Sequence, residues 1–268
     1  MVKLSLARRI VLQVIVSVVV TLVAMMICIR SGLGDGFAVA GSYFVLALVL
    51  TFFYESNRRR FPNAGLLPVF GTKGHRQRTA IMLVVLVAAL LVSITVTSLP
   101  AGLRLRSDWQ WRLGVPLMLT LAVGLFEEVL FRGYLFGLMR FRFPIITCLL
   151  ANGLLFALFH IGAGTTWPEP ARLSFLGFAY YVVTAMVLCL AATETKSLMS
   201  GIAFHVVANY IVGFPHLKLD ELLTHNGIFV ISTPNADQRF VIWMTSIFVL
   251  LILILIYRNR VAPPKQID

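Results

Sequence analysis

Residues 114–139 read GVPLMLTLAVGLFEEVLFRGYLFGLM. Three charged side chains, Glu127, Glu128 and Arg132, interrupt a run that is otherwise almost wholly apolar or small. Crossing ~30 Å of hydrocarbon takes about 20 residues of helix, and this run is long enough. A charge at bilayer depth costs about 3 kcal/mol on insertion scales, so such residues are rare within spans and point to function. The reading of this stretch therefore turns on whether the remainder of the chain belongs in a membrane.

It does. Of 268 residues, 59% are hydrophobic and only 13% charged, and the mean hydropathy is +0.90. A soluble domain carries roughly 25% charged residues, which excludes that class. The apolar residues arrive in eight span-length blocks, near 10–29, 37–54, 80–98, 114–139, 144–162, 172–192, 196–214 and 240–257. No remaining gap accommodates a second soluble domain. The expected fold class is all-α, one polytopic transmembrane bundle of about eight helices occupying 1–268.

The net charge of +12 does not indicate nucleic acid, because the basic residues gather at span ends. They stand in Lys3-Arg8-Arg9, Arg58-Arg59-Arg60, Lys73-Arg76-Arg78, Arg140-Arg142 and Arg258-Arg260. Counting alternate loops gives about 15 Lys and Arg on one side and about 7 on the other, the positive-inside asymmetry. Both termini are accordingly expected in the cytoplasm, with the protein multi-pass in the cell membrane and lipid as its constant partner. Trp109, Trp111, Trp167 and Trp243 fall at the expected outer interface, where amphipathic rings anchor. The first block resembles a signal peptide, but its apolar run is too long and no small-x-small cleavage site follows Cys28. It is read as an uncleaved span. Cys28, Cys148 and Cys189 stand singly in apolar runs and form neither a disulfide framework nor a metal-ligand spacing. The loop from Asn57 to Arg78 is basic, and Phe61, Leu66, Leu67 and Phe70 suit it to the bilayer surface against anionic lipid.

Ionisable residues within spans are confined to three blocks. The second block reads Phe156-Ala-Leu-Phe-His160, and the third reads His205-Val-Val-Ala-Asn209. At 1.5 Å per residue the three sets lie within about 10 Å of a common depth, which helix tilt absorbs. Glu128 and Arg132, four apart, suit an ion pair on one helical face. Glu127 then stands as a separate carboxylate, a candidate general base or acid with a histidine beside it. His205 and Asn209, also four apart, can donate together to a developing oxyanion. Phe156 sets an apolar wall one turn from His160, a candidate substrate contact. The same residues admit other uses. Glu128 with Arg132 alone suits a structural pair, Asn209 alone suits helix–helix adhesion, and Glu127, His160 and His205 suit an open zinc site.

At these residues the sequence resembles the CAAX prenyl protease 2 and bacteriocin-processing (Abi) family of intramembrane endopeptidases. Its pattern is Glu-Glu-x-x-x-Arg, then Phe-x-x-x-His, then His-x-x-x followed by Asn, Asp or Ser. Here Glu127-Glu128-Val-Leu-Phe-Arg132, Phe156 to His160 and His205 to Asn209 stand in that order within 113–213. The resemblance implies hydrolysis of a peptide bond in a membrane-associated or lipidated protein or peptide. Glu127 and His160 would activate water, His205 and Asn209 would hold the oxyanion, and Glu128 with Arg132 would support them. The expectation is a site without cofactor, zinc at Glu127, His160 and His205 being the alternative. The ligand set lacks a His-Glu-x-x-His array. A non-catalytic immunity or scaffold protein of the same fold is the competing class. A proton-coupled transporter would show repeats and broken helices, and neither is present.

The charge asymmetry generates a topology prediction. Reporter fusions at both termini and within 58–78 should all read as cytoplasmic. An external C-terminus would exclude the eight-span arrangement.

Overall fold

The computed structural model describes residues 2–31, 35–71, 114–140, 142–164 and 175–212, strand residues 103–105 and 229–231, and scattered helical positions between 77 and 88 and at 251. Helix α1 (Val2–Arg30) is followed by α2 (Asp35–Arg60) and a tight turn at Pro62–Ala64. Next come α3 (Val115–Glu127), a π-helical segment (Glu128–Phe136) and α4 (Gly137–Met139), which form one continuous helical path. The chain continues through α5 (Ile145–Gly164), α6 (Phe175–Thr195) and α7 (Met199–Val212). Strand β1 (Leu103–Leu105) pairs antiparallel with β2 (Phe229–Ile231), Arg104 opposite Val230.

The valine-rich α1 shows why the bundle belongs in lipid. β-Branched residues are poor helix formers in water. Within hydrocarbon, however, every backbone group must be satisfied inside its own segment, and helix achieves that. Val11, Leu12, Ile15, Val19 and Ile27 point outward, a large apolar surface that water would not tolerate. The hydroxyls of Ser17, Thr21 and Ser42 donate to carbonyls four residues back, so these three are satisfied within their own helices.

Packing makes the path Val115–Met139 the centre of the molecule. Its α3 portion lies against α2 and α7, and its π segment touches α2, α5 and α6. Elsewhere α1 packs on α2, α5 on α6 and α6 on α7. The protein is thus an integral membrane helix bundle. Arg8–Arg30, Ala38–Arg60 and Phe178–Thr195 are long and apolar enough to span, and Ile145–His160 is a shorter apolar helix. Most of the blocks at 80–98 and 240–257, and the four tryptophans, lie outside the described residues, so eight spans stands as an expectation. The ribbon between 103–105 and 229–231 is an addition to the expected all-helical plan.

One expectation is corrected. The segment after α2 docks on the bundle where the sequence suggested a free amphipathic stretch on the bilayer surface. Val69 and Leu66 are buried in a core cluster with Tyr54, Tyr134 and Leu198. The Tyr54 hydroxyl donates to the Leu67 carbonyl at 2.6 Å, and Ser197 Oγ donates to the Val69 carbonyl at 2.9 Å. The Val69 N–H donates to Glu55 Oε1 at 3.0 Å, and the Leu198 N–H donates to the Pro68 carbonyl at 3.1 Å. These bonds satisfy the backbone of a buried loop, which lipid headgroups would do less specifically. Only Phe70 of the apolar set remains well exposed.

Docking of this segment has a measurable consequence. Val69→Asp would bury an unpaired carboxylate at a cost of several kcal/mol. Folded yield and thermostability in detergent should collapse. A surface-lying segment would tolerate the change, so a stable Val69→Asp protein would overturn the docked arrangement.

Candidate active site

Glu127 is the last residue of α3, and the hydrogen-bonding pattern widens to i→i+5 at Glu128. Such widening inside a helix is uncommon and concentrates at functional sites. The π segment is pinned from two neighbouring helices. Asn152 Nδ2 on α5 donates to the Phe131 carbonyl at 2.7 Å. The Cys189 thiol on α6 donates to Asn152 Oδ1 at 3.3 Å.

The two adjacent glutamates have different surroundings. Glu128 Oε1 lies 3.1 Å from Arg132 Nη1, and both side chains are 0% exposed. Arg132 also sits 4.4 Å above the Phe156 ring, a cation–π contact in a desolvated setting. Among the described residues, the Glu128 oxygens, the Arg132 nitrogens and His205 Nδ1 have no aligned hydrogen-bond partner. Proximity of opposite charge and the aromatic face therefore hold this pair.

Glu127 faces the two imidazoles. His160 Nε2 lies 3.6 Å from its Oε1, with side-chain exposures of 20% and 9%. His205 Nε2 lies 3.5 Å from its Oε2. The other nitrogen of His205, Nδ1, lies 3.1 Å from Glu128 Oε1. His205 thus bridges the two carboxylates, a connection the spacing did not reveal. His160 Nδ1 lies 2.8 Å from the Phe156 carbonyl, the residue one turn earlier. The Phe156 ring is 4.2 Å from the His160 ring and fully buried, so its wall is turned to Arg132 and the imidazoles.

Five of the residues singled out from sequence, Glu127, Glu128, Arg132, His160 and His205, form one cluster, and Phe156 packs against it. Asn209 belongs to α7 one turn beyond His205, but its side chain lies outside the described residues. Zinc was the alternative use of Glu127, His160 and His205. Among the described residues no group of three or more His, Cys, Asp or Glu side chains is arranged to hold a metal ion.

Sequence reasoning gave no role to Asn152, Gly201 or Gly124. A Cβ on Gly201 would stand 1.9 Å from Glu128 Oε2, and one on Gly124 would stand 2.9 Å from His205 Cβ. These glycines let α7 approach closely enough for His205 to reach both carboxylates. The available signal was a small residue within an apolar span, the usual mark of close helix contact in lipid. For Asn152 it was a lone amide in the same setting.

A polytopic membrane bundle enclosing a carboxylate–imidazole cluster is the class these observations define. Residues 109–211 match the family model described as Rce1-like, type II CAAX prenyl endopeptidase. The region that carries the three motifs is Rce1-like, as their resemblance implied. Neither the curated proteins nor the solved structures contain a significant match to the chain.

The Gly201 contact can be tested directly. Gly201→Ala must displace the Glu128 carboxylate, and overpacking of this kind costs about 1–3 kcal/mol. Activity should be lost along with thermostability. Gly41→Ala, which meets nothing within 4 Å, should behave as wild type. Equal tolerance of the two changes would contradict the close approach of α7.

Proposed function

We propose that the protein is an intramembrane endopeptidase hydrolysing a peptide bond of a membrane-associated or lipidated substrate, with Glu127 as general base. The observation that carries this reading is the contrast between neighbours. Glu128 is held by Arg132, while Glu127 faces His160 and His205 from the more open side of the cluster. The family match supports proteolysis as the reaction class.

In this mechanism a water molecule is held at Glu127 and His160. Glu127 takes one of its protons as the water oxygen bonds to the scissile carbonyl carbon. His205 Nδ1 lies toward Glu128, and its Nε2–H would donate to the oxyanion together with Asn209. Collapse of the tetrahedral intermediate breaks the C–N bond. The proton held by Glu127 and His160 passes to the leaving amine. Water is thereby divided between the two products, hydroxyl to the carbonyl and hydrogen to the amine. Separations of 3.5 and 3.6 Å between imidazole and carboxylate suit a substrate-free site, since catalytic bonds commonly tighten only in the substrate complex.

Glu127→Gln keeps volume and removes only the titratable group, and Arg132 retains its own partner. The bundle should therefore fold. Cleavage of a tagged membrane-proteome library should fall about 10²–10⁴-fold for this variant and for His160→Ala. Asn209→Ala should lose about 10²–10³-fold. Chelators should leave wild type active. A folded Glu127→Gln protein with undiminished cleavage excludes the base role. Inactivation by chelator and recovery with zinc would assign water activation to a metal. A wild type that cleaves nothing would favour a scaffold or immunity role.

A further inference from the structure

Both ring nitrogens of His160 are accounted for, Nδ1 at the Phe156 carbonyl and Nε2 at Glu127. The Nδ1 contact is short, but the 3.6 Å separation at Nε2 is too long for a hydrogen bond and leaves the tilt of the ring about its Cβ–Cγ bond loosely held. That tilt aims Nε2 and decides whether a water held between it and Glu127 is in line for attack. Something must bear on the ring face.

Tyr181 of α6 does so. Its ring lies 4.4 Å from the His160 ring with 25° between planes, a stacked arrangement. Phe156 approaches at 4.2 Å but tilted by 44°, and Phe156 and Tyr181 stand 6.2 Å apart. These three separations place the two rings at roughly a right angle about His160, so they form different walls. Phe156 already lies beneath Arg132. Tyr181 lies outside all three motifs and comes from a helix that supplies none of them. It packs beside Phe131, Phe156 and Ala185, which ties its ring to the π segment.

We infer that Tyr181 is a positioning residue for His160, its ring face fixing the imidazole tilt in which His160 and Glu127 share the attacking water. The catalytic consequence rests on the endopeptidase reading above, whereas the stacking does not. An aromatic face is also the favoured neighbour of a cation, so the same contact stabilises His160 when it shares the proton that Glu127 takes from water. The ring performs both tasks, and the hydroxyl is not required for either. Because small misplacements of catalytic groups cost about 10²-fold, loss of this wall should act on turnover more than on binding.

The test compares full-length wild type, Tyr181→Phe, Tyr181→Leu and Tyr181→Met in lipid nanodiscs. The two aliphatic changes fill the space without a flat face, and the second serves if the first folds poorly. The activity probe is a fluorogenic peptide ending in a farnesylated Cys-aliphatic-aliphatic-X sequence. The independent probe is the His160 ring signal in histidine-labelled protein, assigned by its disappearance in His160→Gln. Tyr181→Phe should keep kcat, KM and the ring-current-shifted His160 signal. Leu or Met should lower kcat about ten- to a hundredfold, with KM within about twofold, and move that signal. An unmoved signal or unchanged kcat in folded Leu and Met variants overturns the inference. An equal loss in Tyr181→Phe overturns it too, by assigning the effect to the hydroxyl. If wild type leaves the peptide uncut, that result counts against the prenyl-peptide reading, and the His160 signal alone decides the positioning role.

Discussion

Arg132 is a guanidinium without solvent exposure in a chain that lives in hydrocarbon, and the centre of the fold is arranged around that fact. A buried charge left alone is untenable, with an effective penalty of several kcal/mol even after relaxation. Glu128 answers it one turn earlier, and Phe156 lies beneath it from α5. Each answer fixes a neighbour. Glu128 in turn holds His205 on α7, and α7 comes that close only because residue 201 has no side chain. The position of Phe156 sets that of His160 through the carbonyl one turn back. Stability alone would be served equally well by an apolar substitute for such a pair. This pair additionally orients two imidazoles, His205 through Glu128 and His160 through Phe156.

The adjacent glutamates illustrate how environment divides labour between identical groups. Where two carboxylates sit in different surroundings, their roles separate, one ionised and structural, the other free to exchange a proton. Here the division coincides with the change from α to π geometry between residues 127 and 128. Widening the helix re-aims the side chains that follow and leaves a carbonyl for a neighbour to take. Asn152 takes that of Phe131. The π segment is therefore held by tertiary contacts as much as by its own backbone, with α5 and α6 as its external supports.

Much of this was legible in the sequence, and the limits have physical causes. Block lengths and the Lys/Arg asymmetry reveal a membrane protein because hydrocarbon thickness and insertion costs act on composition directly. The spacing Glu128 to Arg132 foretold their pair, since residues four apart remain neighbours even as the helix widens. The widening itself was not legible, because it depends on partners such as Asn152 from another helix. The docking of Leu66 and Val69 was hidden for a different reason: an apolar side chain reads alike whether it meets lipid or protein. His205 was expected beside Asn209 on the strength of helical periodicity. Its bridge between Glu127 and Glu128 is an interhelical fact, invisible to any periodicity within α7. Gly124 and Gly201 looked like ordinary small residues of apolar spans until a side chain was seen to have no room there.

Exposure across the cluster is graded, and the gradient carries a direction. It runs from Arg132 and Glu128, wholly enclosed, through His205 and Glu127 to His160, the most open of the five. Hydrolysis in a membrane has to admit water and a peptide while denying both to the charges that hold the site together. A cluster equally open throughout would hydrate Arg132 and weaken the pair that orients His205, because electrostatic attraction fades as the dielectric rises. A cluster equally closed would starve Glu127 of its reactant. The observed order satisfies both demands, since the charged anchor lies at the dry end and the group proposed to activate water lies toward the open one. The aromatic rings of Phe156 and Tyr181 stand between these ends. They shape the opening with ring faces, which do not compete with Glu127 and His160 for the proton.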